Sequence, residues 1–133
     1  MNSPSGRPLE APTVAGLIQT LGFMLIGGVF VWAGAEHFLR FRTIAGQLAE
    51  RHFPAPTVLL AAGSTVEIAA GLGLATGIGR TCAAMALIAF TVAASAMVLD
   101  FWRCSGPERQ GLRSAFTINI AVVGGLLLAA SPQ

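Results

Sequence analysis

Glu67 is the one charged residue in a long apolar stretch, PTVLLAAGSTVEIAAGLGLATGIG, residues 56–79. An ionisable group at bilayer depth costs several kcal/mol unless it faces a partner or a wet cavity. A carboxyl in that setting can donate or accept a hydrogen bond and can hold or release a proton. Gly63 and Gly71 share its helical face one turn away on either side, small enough to admit a neighbouring helix. Other polar side chains recur in apolar surroundings: Ser64 and Thr65 beside Glu67, Thr91 and Ser95 one turn apart, and Asn119. Counted from the arginine-rich ends of their segments at 1.5 Å per residue, Glu67, Thr91, Ser95 and Asn119 fall ~6–15 Å deep and converge on one cavity. Two readings follow. Either Glu67 holds the helices in register through Ser, Thr or Asn on its neighbours, or it lines a site through which a proton or a polar ligand passes.

Metal and hydrolytic chemistry find little support. Glu36 and His37 are adjacent, hence ~100° apart on a helix, and His52 is remote from both. No H-x-x-x-H, C-x-x-C or E-x-x-H spacing occurs, so no metal site is expected. Haem-attachment, dinucleotide and phosphate-loop motifs are also lacking, and no cofactor is expected to be covalently bound. Cys82 and Cys104 stand at opposite ends of one apolar run. Helical rise separates them by ~33 Å, too far for a disulfide, whose Cα atoms lie about 4.4–6.8 Å apart.

The segments that must position these groups are four apolar runs, at 13–35, 56–79, 81–99 and 114–131. Each matches the ~20 residues of one helical crossing. Backbone polar groups in lipid are satisfied only by helices or closed barrels, and no period-two alternation is present. The sequence therefore predicts an all-α fold: a four-helix antiparallel transmembrane bundle forming one domain over 13–133, behind a flexible leader at 1–12. Ala33-Gly34-Ala35 resembles a signal-peptide cleavage site, but the first run exceeds the ~7–15 apolar residues of a signal core and reads as a true span. Gly77-Ile78-Gly79 makes the second and third spans antiparallel neighbours. In the connection 36–55, Phe38, Phe41, Ile44, Ala45 and Leu48 recur at helical spacing while Arg40, Arg42, Gln47 and Glu50 fall elsewhere. That pattern fits a short interfacial amphipathic helix ended by Pro54 and Pro56, or an irregular loop.

Only 11% of the 133 residues are charged, 54% are hydrophobic, and mean hydropathy is +0.72. Soluble domains carry about 25% charged residues, so this chain is built for a lipid bilayer. The net charge of +2 comes from eight arginines without lysine. No basic block with interleaved aromatics is present, and no nucleic-acid partner is expected. Arg40, Arg42, Arg51, Arg103, Arg109 and Arg113 lie in the connections 36–55 and 100–113, against Arg7 and Arg80 elsewhere. The positive-inside rule puts those two connections in the cytoplasm and both termini outside the inner membrane. Trp32, Trp102, Phe38, Phe41, Phe53 and Phe101 cluster at the same ends, as an aromatic belt does.

An ordered set of motifs over residues 22–130 resembles the DoxX family of small four-helix membrane proteins. LGFMLIGGVFVWAGAEHF is similar to its first-helix signature, and Phe53-Pro54-Ala55-Pro56 to its loop. VEIAAGLGLATGIGR is similar to the second-helix pattern, with its acid at Glu67 and its arginine at Arg80. DFWRC and FTINIAVVGGLLLAA resemble the next loop and the fourth helix. Two positions depart: many relatives carry Lys where this chain has Glu36-His37, and His where it has Leu99. The resemblance implies an inner-membrane protein linked to redox chemistry, such as the small subunit of a thiosulfate:quinone oxidoreductase or an anchor in a redox-protective complex.

From these readings the chain is expected to be a non-catalytic membrane subunit of a quinone-linked oxidoreductase. Glu67 and Asn119 would bond a quinone carbonyl, Thr91 and Ser95 would line the same cavity, and Trp32 or Trp102 would flank the ring. Arg40, Arg42, Arg103 and Arg109 would dock a partner subunit. The alternatives are a membrane scaffold or assembly factor, with Glu67 purely structural, and a small transporter formed as a homo-oligomer.

Overall fold

The computed structural model describes residues 11–132, and the expected leader lies almost wholly outside them. Five helices follow one another: α1 (Val14–Leu39), α2 (Phe41–Glu50), α3 (Pro56–Thr76), α4 (Arg80–Val98) and α5 (Gly106–Ala130), with a single 3-10 turn at Phe101–Arg103. Four segments are long and apolar enough to cross a membrane: Val14–Leu39, Pro56–Thr76, Arg80–Arg103 and Gly106–Ala130. Their connections make successive spans antiparallel, as expected.

Local chemistry explains most helix ends. Thr13 caps α1 by accepting the Gly16 N–H at 3.0 Å. Pro56 and Pro107 open α3 and α5, where a missing N–H costs nothing. Gly77 closes α3 with φ +86°, donating its N–H to Gly73, and Gly79 at φ +58° leads into α4. Two boundaries differ from expectation. α1 runs past residue 35 to Leu39, and α5 begins at Gly106, well before residue 114. Hydropathy marks where lipid begins, while a helix continues through any polar sequence that can cap it. The connection 36–55 does contain the amphipathic helix. α2 buries Ala45, half-buries Phe41, Ile44 and Leu48, and exposes Arg42, Gln47 and Glu50. It ends at Glu50, ahead of the prolines.

α1 packs mainly on α3, α3 on α4 and α4 on α5, and α1 meets α5 along a short seam. Glycines set the α1–α3 distance. A Cβ on Gly71 would lie 2.7 Å from the Gly27 carbonyl oxygen, and one on Gly34 would lie 2.9 Å from that of Ser64. Such backbone contact is how helices associate in lipid, where van der Waals packing replaces the hydrophobic drive. Towards the Gly77–Gly79 turn the core is apolar: Phe23, Phe30, Leu74, Ala83, Ala84, Leu87, Leu126 and Ala129. Leu17, Ile18, Leu21, Leu25 and Val29 cover the exposed face of α1, which only a bilayer or another protein would leave unpenalised.

Candidate functional site

The buried polar side chains, Ser64, Glu67, Thr91, Ser95 and Asp100, gather in the other half of the bundle, towards the arginine-rich end. Glu67, on the buried face of α3, is only 4% exposed. Its Oε2 lies 2.8 Å from Nδ1 of His37, which stands on the last turn of α1 and keeps about a third of its side chain accessible. The close approach at Gly34, one turn earlier, makes this pairing possible: a Cβ there would sit 3.2 Å from Cβ of Glu67. The proton in the bond can rest on the ring nitrogen or on the carboxyl, so the contact serves an ion pair and a neutral pair alike.

This partner differs from the Ser, Thr or Asn expected from sequence. Ending the first span at residue 35 leaves His37 in a loop. Yet Gly27, Phe30 and Gly34 form the buried stripe of α1, and continuing it by three residues reaches His37. That spacing was the available signal.

On the neighbouring faces, Ser64 is 1% and Thr91 4% exposed, and the hydroxyl oxygens of both lack a hydrogen-bond partner. Glu67 and Thr91 stand about equally far along the chain from the Gly77–Gly79 turn, so they share a depth. One turn beyond Thr91, Ser95 accepts a hydrogen bond from Asn119 Nδ2 at 3.0 Å, joining α4 to α5. Beside this bond runs a groove of about 250 Å³, lined by Val92, Ser95, Ala96, Phe116, Asn119, Ile120 and Val123.

The structure thus brings Ser95 and Asn119 together but divides the expected cavity. Glu67 is engaged with α1, Asn119 with α4, and no hydrogen bond joins the two pairs among the described residues. Trp102 packs edge-on against Phe116, a wall of the groove, with ring centroids 6.3 Å apart. Trp32 is 73% exposed on the outer face of α1, away from the groove.

A second ionic contact escaped the sequence reading. Arg51, just after α2, pairs with buried Asp100 and donates to the Val98 carbonyl at 2.9 Å. It ties one polar connection to the other. Nearby, burial and then Glu108 push the Cys104 thiol above its ordinary range, away from a reactive thiolate. At the opposite end Arg80 lies over the Phe23 ring, 3.8 Å from its centroid.

A family model described as DoxX matches residues 18–100, which run from the second turn of α1 to just past α4 and include both members of the His37–Glu67 pair. The match stops before α5, so Asn119 lies beyond it. Among curated proteins and among solved structures, none matches the chain.

Proposed function

The chain belongs to the DoxX family of membrane proteins, and from that premise we propose that it is a non-catalytic inner-membrane subunit of a quinone-linked oxidoreductase, holding a quinone headgroup between α4 and α5. The groove carries this reading. Its volume of about 250 Å³ suits one ring, and its walls are apolar apart from Ser95 and Asn119. Asn119 Nδ2 has two protons, one of them committed to Ser95. The second proton and the Ser95 hydroxyl remain to meet a quinone carbonyl. Val92 and Ile120, on the rim, are 54% and 61% exposed, so the groove opens sideways to lipid, where an isoprenoid tail belongs. A bound quinone supplies a two-electron, two-proton couple; this chain's part is to bind and orient the ring. Glu67 stands outside the lining and so outside direct contact with the ring. Arg42, Arg103 and Arg109, all exposed at the same end, would dock the electron-donating partner from the cytoplasm, following the arginine asymmetry.

One observation favours the second reading, a scaffold without redox duty. Glu67 is already satisfied by His37, so its carboxyl can serve packing alone. The test is titration of the purified protein in nanodiscs with a short-chain quinone, followed through quenching of Trp102 fluorescence, with Trp102→Phe as the background. Saturable binding is expected, weakened about tenfold in Asn119→Leu, as loss of one hydrogen bond implies. No saturable binding, or equal binding in that variant, supports the scaffold instead.

A further inference from the structure

We propose that His37 and Glu67 form a proton port, through which the buried carboxyl of Glu67 exchanges its proton with the aqueous phase at the arginine-rich end.

The geometry has three parts. Glu67 is sealed from solvent, with a side-chain exposure of 5%, whereas His37 retains 34%. Their 2.8 Å contact runs from Oε2 to Nδ1, which leaves the other ring nitrogen, Nε2, uncommitted to Glu67 on a side chain that is one-third accessible. An imidazole bonded on one side and accessible on the other can take a proton at Nε2 and release the Nδ1 proton to the carboxylate. The result is a neutral carboxyl and a neutral ring in its other tautomer. Charge and protons balance, and the reverse step unloads the site. The third part is the inner surroundings. The hydroxyls of Ser64 and Thr91 are buried near this depth and neither is hydrogen-bonded to Glu67, so among the described residues His37 is the side chain that bonds the carboxyl.

The charged surroundings are sparse. On α1, Glu36 lies next to His37 and is itself tied to Arg40 at 3.6 Å. α3 offers Glu67 alone, α4 has no titratable residue after Cys82, and α5 has none after Arg113. The short α2 presents Arg42 and Glu50 outward. Proton traffic to Glu67 therefore has one ionisable neighbour to use. The port stands on this geometry. Its service to quinol formation in the groove rests on the quinone reading above.

Infrared spectroscopy of the full-length protein in nanodiscs tests it without quinone. The carboxylic-acid band of Glu67, identified by its loss in Glu67→Gln, is followed across pH and after transfer to deuterated buffer. Its isotope shift is expected to slow by about a hundredfold in His37→Gln, the scale of one lost proton relay. Glutamine can still donate a hydrogen bond to Oε2, so the fold is retained while the relay is lost, and circular dichroism verifies this. Exchange as fast in His37→Gln as in the parent overturns the port. So does the absence, at every pH, of a band that Glu67→Gln removes. Slow exchange in the variant together with no quinone binding leaves the port standing and removes the quinone reading alone.

Discussion

The two ends of this bundle are built on opposite rules. Towards the Gly77–Gly79 turn, Leu74, Ala84, Leu87 and Leu126 are wholly buried and the interior is apolar. Towards the arginine-rich end the buried positions of α3 and α4 hold Ser64, Glu67, Thr91 and Ser95, with Leu60 the one apolar side chain among them. The change occurs within one turn of α3, between Gly71 and Glu67, and of α4, between Leu87 and Thr91. Apolar packing and polar chemistry are thereby separated along the membrane normal. Glycines bring α1 and α3 to backbone contact in both halves, at Gly27 and Gly71 and again at Gly34, and within that frame the polar half holds the hydroxyls of Ser64 and Thr91 without partners.

The contrast is open to attack from both sides. The largest effect belongs to Gly71→Leu, because its side chain would meet the backbone of α1, which no rotamer change relieves. A loss of about 3 kcal/mol or more is expected in reversible unfolding from mixed micelles. Leu87→Ala, in the apolar half, is expected to cost about 2 kcal/mol in the same assay, through the cavity it leaves. In the polar half, His37→Leu strips Glu67 of its bonded neighbour. A partner one-third exposed makes this about 1–2 kcal/mol, below the range for a fully buried pair, and adding Glu67→Gln should recover part of it. Thr91→Val is the sharpest probe. It replaces a partnerless hydroxyl with a methyl group and is expected to raise stability by up to about 1 kcal/mol. A clear loss there would mean that the polar half is as cohesive as the apolar one.

Much of this organisation was legible in the chain. A bilayer imposes a length and a composition on whatever crosses it, so all four spans and the tight turn at Gly77 could be read directly. α2 was legible because one face of a short helix must still be apolar. The partner of Glu67 was not. Its identity depends on α1 lying against α3, and the connection 36–55 is long enough to permit several arrangements. Arg51 and Asp100 were hidden for the same reason: both sit in polar connections, where composition carries no information about pairing. The groove beside Asn119 depends on side-chain shape at one helix seam, which no periodicity records.

Arg40 alone separates α1 from α2, and Arg51 fastens the far end of α2 to Val98, the last residue of α4, and to Asp100 just beyond it. The amphipathic segment is thus a strap anchored at both ends. A sideways pull on it, from a docking protein or from a stretched leaflet, is felt by the first and third spans together, and the strap cannot drift free across the headgroups until that guanidinium lets go.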